Sequence, residues 1–194
     1  MSKLHRIIFG ALALSVVLTG GCARDNTDKT AGSVSASGSS GGSLSASSEP
    51  PAAQISFEGT DLEGNAVSSE IFSRSKLTMV NVWATYCNPC LSEMPALGEL
   101  AADYDAGEFQ IIGIVSDVLE GEDASTAEAL IQETGADYTH LLLNESIYYG
   151  LLTDVSAVPT TFFLDKNGTV LDTVVGAMEK PAWEDKINGL LEGL

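Results

Sequence analysis

The chain has 194 residues and a formal net charge of −18, and 44% of its residues are apolar. Residues 54–194 carry 24 Asp and Glu against five Lys and Arg. Such a surface repels phosphate backbones, which argues against nucleic acid as a partner. The length leaves room for one ordinary domain, and three cysteines are too few for a framework of structural disulfides.

The N-terminus has the pattern of an export signal. A basic start precedes a compact apolar run over residues 7–18, which is too short to span a bilayer. The following Leu-Thr-Gly-Gly-Cys resembles the lipobox of bacterial lipoproteins, although Thr19 stands where that family usually has Leu. The resemblance implies that residues 1–21 are a signal peptide and that acylated Cys22 anchors the protein to a bacterial membrane, outside the cytoplasm. A plain secretory signal is the alternative.

Residues 22–53 form a low-complexity segment dominated by Ser, Gly and Ala. This composition cannot bury enough apolar surface to offset the loss of backbone entropy, so we expect a disordered tether. A flexible chain of about 30 residues has a reach of roughly 30 Å, which lets a tethered domain meet partners at the membrane. The folded domain is therefore expected over residues 54–194.

Within that domain, apolar runs and helical spacings alternate along the chain. The predicted elements are a hairpin of residues 54–57 and 66–67, a short helix from its cap Ser68 to Phe72, a strand over 77–83, a helix over 88–103, a strand over 109–115, an acidic loop over 117–123, a helix over 125–134, a strand over 140–143, a short helix over 145–152, a hairpin of 160–164 and 169–175, and a last helix from Pro181. This order predicts an α/β fold: a mixed central sheet flanked by helices, after an N-terminal β-hairpin.

Two cysteines, Cys87 and Cys90, stand at the predicted junction between a buried strand and a helix. At a helix N-terminus, free amide N–H groups and the helix dipole favour a thiolate over a thiol. A thiolate attacks disulfides, and a second thiol one turn further on can resolve the resulting mixed disulfide. Because so short a loop adds little stability when it is closed, the pair indicates redox chemistry and not a structural staple.

The residues around this pair resemble a known family. The sequence Trp-Ala-Thr-Tyr-Cys-Asn-Pro-Cys over residues 83–90, then Glu93 and Pro95, and Val-Pro-Thr over residues 158–160 are similar to the TlpA/ResA-like thiol–disulfide oxidoreductases. The resemblance implies a thioredoxin fold over residues 54–194, with a central β-α insertion between residues 110 and 143.

The resemblance also implies roles for the residues near the thiols. Cys87 is expected to be the partly exposed nucleophile and Cys90 the resolving thiol. Pro89 removes a backbone donor near the sulfur, which favours a reducing couple. Asn81 stands where ordinary thioredoxins carry a buried Asp. Glu93 shares a helical ridge with the cysteines, and a partly buried carboxylate there could accept the proton of the resolving thiol.

A second group is expected to bind clients. Pro159 matches the cis-proline of the thioredoxin fold, so that the backbone of Val158 is expected to pair with an extended client segment. Trp83 is expected to pack beside the site, and Tyr86 is expected to contribute an aromatic docking surface, where the family more often has Trp.

The expected activity is a thiol–disulfide oxidoreductase, acting as a reductase of partner-protein disulfides in cytochrome c maturation or in repair of oxidised secreted proteins. The implied electron donor is a membrane protein of the CcdA/DsbD type. No metal is expected, and no cofactor beyond the redox-active disulfide of Cys87 and Cys90. The protein is expected to be a monomer. Three alternatives remain: a disulfide-donating oxidase, a thiol peroxidase and a Sco-like copper chaperone. In a thiol peroxidase the threonine stands three residues before the reactive cysteine, and Thr85 is one residue too close to Cys87. A copper chaperone needs a distal histidine, for which His140 is the sole candidate.

Overall fold

The computed structural model describes residues 54–194, so that the predicted signal peptide, Cys22 and the tether lie outside the described residues. The described elements are β1 (Glu58–Thr60), β2 (Ala66–Ser68), a 3₁₀ turn (Ser69–Arg74), β3 (Leu77–Trp83), α1 (Asn88–Asp103), β4 (Phe109–Leu119), α2 (Ser125–Thr134), β5 (Thr139–Leu143), α3 (Glu145–Ile147) with a wider π-type turn (Tyr148–Leu152), β6 (Thr160–Asp165), β7 (Val170–Val175) and α4 (Lys180–Leu191). None of the helices over residues 54–194 has the length and apolar character needed to cross a membrane.

The central sheet has the strand order β5-β4-β3-β6-β7. Strands β3, β4 and β5 run parallel, whereas β6 pairs antiparallel with β3 and β7 pairs antiparallel with β6. All seven residues of β3 are buried, as expected for a strand in the middle of a sheet covered on both faces. The predicted mixed sheet with flanking helices and an N-terminal β-hairpin is confirmed.

Alternate residues of β3 divide the core between the two faces. Val80 and Val82 pack with the hairpin, the 3₁₀ turn and α3, whereas Met79 and Trp83 pack under α1, α2 and α4. Helix α1 buries Met94, Leu97 and Leu100 on the second face. Because the side chains of a strand alternate between faces, this second face also receives Asn81.

A polar row crosses this otherwise apolar sheet on the face below α1. Asn81 of β3 is in register with Thr161 of β6 on one side and with Gly113 of β4 on the other. Gly113 is in turn in register with His140 of β5. Neighbouring residues of one row project to the same face of a sheet, so three widely separated polar residues and a glycine line up beneath the helix that carries the cysteines.

Two predicted boundaries were wrong. The first strand lies at Glu58–Thr60 and not at residues 54–57, because the carboxylate of Asp61 accepts hydrogen bonds from the backbone and side-chain amides of Asn65, at 2.7 and 3.0 Å, and confines the turn to fewer residues. Strand β4 continues beyond Val115 to Leu119, since pairing with β5 resumes at Leu143 after a shift of register. Part of the predicted acidic loop is therefore strand.

Candidate active site

Both cysteines lie where β3 gives way to α1. Cys87 is the N-cap of the helix: its N–H donates to Ala84 O at 3.0 Å, and its carbonyl accepts from Leu91 N at 3.1 Å. Its sulfur is bonded to that of Cys90 at 2.06 Å. The apolar strand fixes the start of the loop, and the helix fixes its end, so the redox pair is held at the carboxyl end of the central strand.

The two sulfur-bearing residues differ in accessibility. Cys87 keeps 5% of its surface exposed, whereas Cys90 keeps none. The backbone N–H of Cys90 donates to Cys87 Sγ at 3.3 Å, and Pro89, in the first turn of α1, has no N–H to offer. The backbone thus directs one donor toward Cys87, and a reaction partner that approaches from solvent meets Cys87 first.

Glu93 lies one turn beyond Cys90 and is 3% exposed. One carboxylate oxygen accepts from Asn81 Nδ2 and the other from the backbone N–H of Met178, each at 3.1 Å. Burial raises the pKa of Glu93 from 4.5 to about 7, and these two hydrogen bonds oppose the rise without cancelling it. Glu93 therefore titrates close to neutral pH, where a group that exchanges protons with a thiol is most useful.

The surroundings of Glu93 include residues that the sequence did not indicate. Asn81 Nδ2 also donates to Thr161 Oγ1 at 3.1 Å. The indole N–H of Trp183 also faces Glu93 and lowers the pKa of the carboxyl, but less than Met178 and Asn81 do. This N–H does not form a hydrogen bond of normal geometry. The hydroxyl of Tyr138 is buried. Burial is the main cause that raises the pKa of this phenol, and the negative charge of Glu93 raises it further. Sequence patterns give no signal for these contacts, because they join residues 45 to 90 positions apart.

Trp83 does not lie on the surface. Its side chain is fully buried in one cluster with Cys87 and Cys90, and its indole N–H donates to His140 Nδ1 at 3.1 Å. The expectation that Trp83 contacts clients is revised, because a residue without exposed surface cannot dock a partner. It supports the redox pair from beneath.

Two of the other expected docking residues, Tyr86 and Val158, line one groove. Tyr86 is 74% exposed, and together with the half-buried Val158 it borders a groove of about 300 Å³ that also includes Tyr148 and Val155. The bond between Val158 and Pro159 is cis. The structure thus brings together residues from the loop before Cys87 and from the loop before β6, although 72 positions separate Tyr86 from Val158 in the chain.

The loop before Cys87 is held by a carboxylate. Asp117 accepts hydrogen bonds from the backbone N–H of Thr85, at 3.0 and 3.1 Å, and from the Thr85 hydroxyl at 2.6 Å. This three-point contact ties the loop to β4 and fixes the backbone that presents Tyr86. The sequence placed Asp117 in a loop, and its function in holding Thr85 appears only because β4 is longer than predicted.

Comparison with known proteins identifies the family. The profile of the AhpC/TSA family matches residues 51–173. The chain belongs to the AhpC/TSA family. Among its relatives, the thiol:disulfide interchange protein HelX of Rhodobacter capsulatus is 30% identical over 145 residues, which cover 75% of this chain and 72% of HelX. The thiol-disulfide oxidoreductase ResA of Geobacillus kaustophilus is 31% identical over 121 residues, 62% of this chain and 66% of ResA.

A solved structure supports the fold of this AhpC/TSA family member. The crystal structure of a thiol:disulfide interchange protein, a thioredoxin family protein from Chlorobium tepidum, superposes with a TM-score of 0.64 at 22% identity and covers 75% of this chain and 99% of that one. The resemblance to ResA-like proteins is confirmed, and the chain is a thiol–disulfide oxidoreductase of thioredoxin fold.

Proposed function

We propose that this oxidoreductase reduces disulfides in partner proteins and works outside the cytoplasm, anchored through Cys22. One observation carries the proposal: the two cysteines differ in access, with Cys87 reachable from solvent and Cys90 enclosed, and a buried carboxylate lies one helical turn beyond them. This asymmetry supports a mechanism in which Cys87 attacks the partner and Cys90 releases it.

In the reduced protein, the Cys87 thiolate attacks one sulfur of a partner disulfide. The bond from Cys87 Sγ to that sulfur forms, the partner's S–S bond breaks, and the partner's other sulfur leaves as a thiolate. Cys90 then attacks Cys87 Sγ, so that the Cys87–Cys90 disulfide forms and the second partner sulfur is released. Two electrons pass from the cysteine pair to the partner, and each released partner thiolate takes up a proton.

The proton of Cys90 must leave before its sulfur can attack, because the thiolate is the nucleophile. Cys90 is fully buried, so bulk water does not reach it directly. Glu93 lies on the same side of α1, and with a pKa of about 7 its carboxylate is populated at neutral pH. In the proposed step the carboxylate of Glu93 accepts the Cys90 proton and later gives it up to solvent, or returns it to the Cys90 thiolate when the pair is reduced again.

The clients are proposed to dock as extended segments in the groove bordered by Tyr86 and Val158, where the loop before β6 offers its backbone. The ResA-like sequence around Cys87 supports two client classes: apocytochrome c, and secreted enzymes that carry oxidised cysteines. A membrane electron carrier of the CcdA/DsbD type would return the pair to the reduced state. The lipobox-like sequence that ends at Cys22 supports the anchor.

The other functions considered have less support. Thr85, the residue that a thiol peroxidase would aim at its reactive cysteine, gives its hydroxyl to Asp117. His140, the candidate copper ligand, has one ring nitrogen engaged with Trp83 and the other with Ala136 O at 3.0 Å. Among residues 54–194, no group of three or more metal-binding side chains lies together.

The reduction potential of the pair tests the direction. We expect a value below about −240 mV, within or below the range of the glutathione pool, because Pro89 removes a donor that would stabilise the Cys87 thiolate. The full chain is equilibrated in glutathione or dithiothreitol buffers, and the oxidised fraction is measured by thiol labelling and mass spectrometry. A potential near that of a strong oxidant, about −120 mV, would replace the reductase by a disulfide-donating oxidase. Cys87→Ser, which cannot form the bond, is the control.

A second experiment tests the anchor. Cys22→Ala is expected to move the protein from the membrane fraction to the soluble extracytoplasmic fraction of cells, because acyl chains supply most of the membrane affinity of such a protein. Immunoblots of separated fractions measure the change, and Ser43→Ala in the same low-complexity segment is the matched control. Membrane association that survives Cys22→Ala contradicts the lipid anchor.

A further inference from the structure

His140 occupies a closely defined position on the sheet behind the redox pair. The indole N–H of Trp83 can only donate, so the nitrogen that receives it, Nδ1, must offer a lone pair. The carbonyl of Ala136 can only accept, so Nε2 must carry the proton. The two contacts together select one neutral tautomer. Burial lowers the pKa of His140 to about 4, so this uncharged form persists at neutral pH.

The position of the imidazole is fixed from its other sides as well. Tyr138 stacks on the ring, with centroids 4.4 Å apart and planes 27° from parallel. On the neighbouring strand, Gly113 leaves the space that the ring fills, because a Cβ at that position would overlap Nδ1. His140 therefore has one orientation, and the acceptor it offers to Trp83 points in one direction.

Trp83 connects this histidine to the cysteines. Its side chain lies in the same buried cluster as Cys87 and Cys90, and its ring meets that of His140 edge-on, with centroids 5.6 Å apart and planes at 79°. A buried N–H that loses its acceptor is costly, so an indole without His140 would turn to find another partner or water. The orientation of Trp83 beneath the pair thus depends on His140.

We propose that His140 is a positioning residue for the thiol chemistry: it holds the indole of Trp83 against the redox pair and so keeps Cys90 closed to solvent and to partners. This inference rests on the proposed function, in which Cys87 alone meets the partner. Enclosure of Cys90 matters for that function, because a second accessible sulfur could also form a mixed disulfide with a client. Such a product would not lead to release of the reduced client.

The test measures the alkylation rate of each cysteine in the reduced full chain. His140→Phe keeps a ring but removes the acceptor, and it is expected to raise the alkylation rate of Cys90 by iodoacetamide about tenfold or more while the rate at Cys87 stays within about twofold. His140→Asn places its side-chain oxygen near the position of Nδ1, and we expect it to restore most of the protection. Mass spectrometry of each cysteine-containing peptide gives the two rates.

A double mutant separates positioning from general loss of stability. In a Trp83→Phe background there is no indole N–H to position, so adding His140→Phe is expected to leave the Cys90 rate unchanged. Three outcomes would each overturn the proposal. The first is that His140→Phe and His140→Asn raise the Cys90 alkylation rate equally, and the second is that the effects of Trp83→Phe and His140→Phe on this rate add in the double mutant. The third is that Cys90 stays protected in a folded His140→Phe protein. Failure of Cys87 to react faster than Cys90 in the wild type would instead refute the proposed function.

A measurement on the unmodified protein keeps the inference testable if the variants do not fold. An N–H···N hydrogen bond transmits a scalar coupling between its two nitrogens, so ¹⁵N NMR of the oxidised full chain is expected to show a coupling between Trp83 Nε1 and His140 Nδ1. The ¹⁵N shifts of the imidazole are expected to be those of the tautomer protonated at Nε2. Absence of the coupling, or the opposite tautomer, would overturn the proposal.

Discussion

Cys90→Ser is expected to leave the protein covalently joined to its clients through Cys87. The variant retains Cys87, the sulfur that solvent reaches, but lacks the fully buried thiol that releases the partner, so the mixed disulfide accumulates. Affinity purification under non-reducing conditions, followed by reduction and mass spectrometry, identifies the trapped proteins. The clients define the pathway, and apocytochrome c or oxidised secreted enzymes are the two classes expected.

The matched variants decide whether the roles are assigned correctly. Cys87→Ser is expected to trap nothing and to lower the rate of disulfide exchange to below about one thousandth of the wild-type rate, as expected when an enzyme loses its nucleophile. The double variant shows the background. If Cys87→Ser and Cys90→Ser trap the same proteins in similar amounts, Cys90 is also accessible to clients, and the assignment of attack to Cys87 is wrong.

Glu93→Gln is expected to remove a pH dependence of stability between about pH 4.5 and pH 7. The pKa of Glu93 is 4.5 in the unfolded chain and about 7 in the folded one, so within this window the folded state binds the additional proton. The free energy of unfolding therefore falls as pH rises, by about 3 kcal/mol in total, and the loss is complete above about pH 7. Urea unfolding of wild type and Glu93→Gln at intervals across this window measures the difference.

The same variant also tests the proton transfer. Release of a trapped partner by Cys90 is expected to accelerate in the wild type as pH rises through about 7, where the carboxylate becomes available, and to be slower without this inflection in Glu93→Gln. Glu99→Gln is the matched control, since Glu99 lies on the same helix with a side chain 64% exposed and contacts Lys180. Wild-type pH profiles in Glu93→Gln, for both stability and release, would assign Glu93 a packing role only.

Local patterns were sufficient where the signal lies within one element. The strand Leu77–Trp83 and the helix Asn88–Asp103 have the predicted bounds, because an unbroken apolar run and a Cys-Asn-Pro start are complete within a few residues. The first strand of the hairpin was misplaced since a side-chain contact of Asp61 shortened the turn. The end of β4 was missed because its last pairing, with Leu143, depends on a distant strand.

The same division applies to the site. The spacing of Cys87, Cys90 and Glu93 along one helix is visible in the sequence, because residues three apart share a helical face. Tyr86 and Val158 were proposed from a resemblance, and only the fold places them on one groove. Trp83 was expected beside the site, among the residues that bind clients, and it is fully buried, since it ends a central strand covered by α1.

By itself, the sequence determined the redox pair, the fold and the proximity of an acid to the thiols, because these depend on composition, spacing and resemblance. The tertiary structure decided the surroundings: how little of each cysteine is exposed, how far burial raises the pKa of Glu93, and which residues support Trp83. Strand register aligns Thr161, Asn81, Gly113 and His140 in one row although up to 80 positions separate them. Register is set by pairing and burial across the whole sheet, which no local pattern contains.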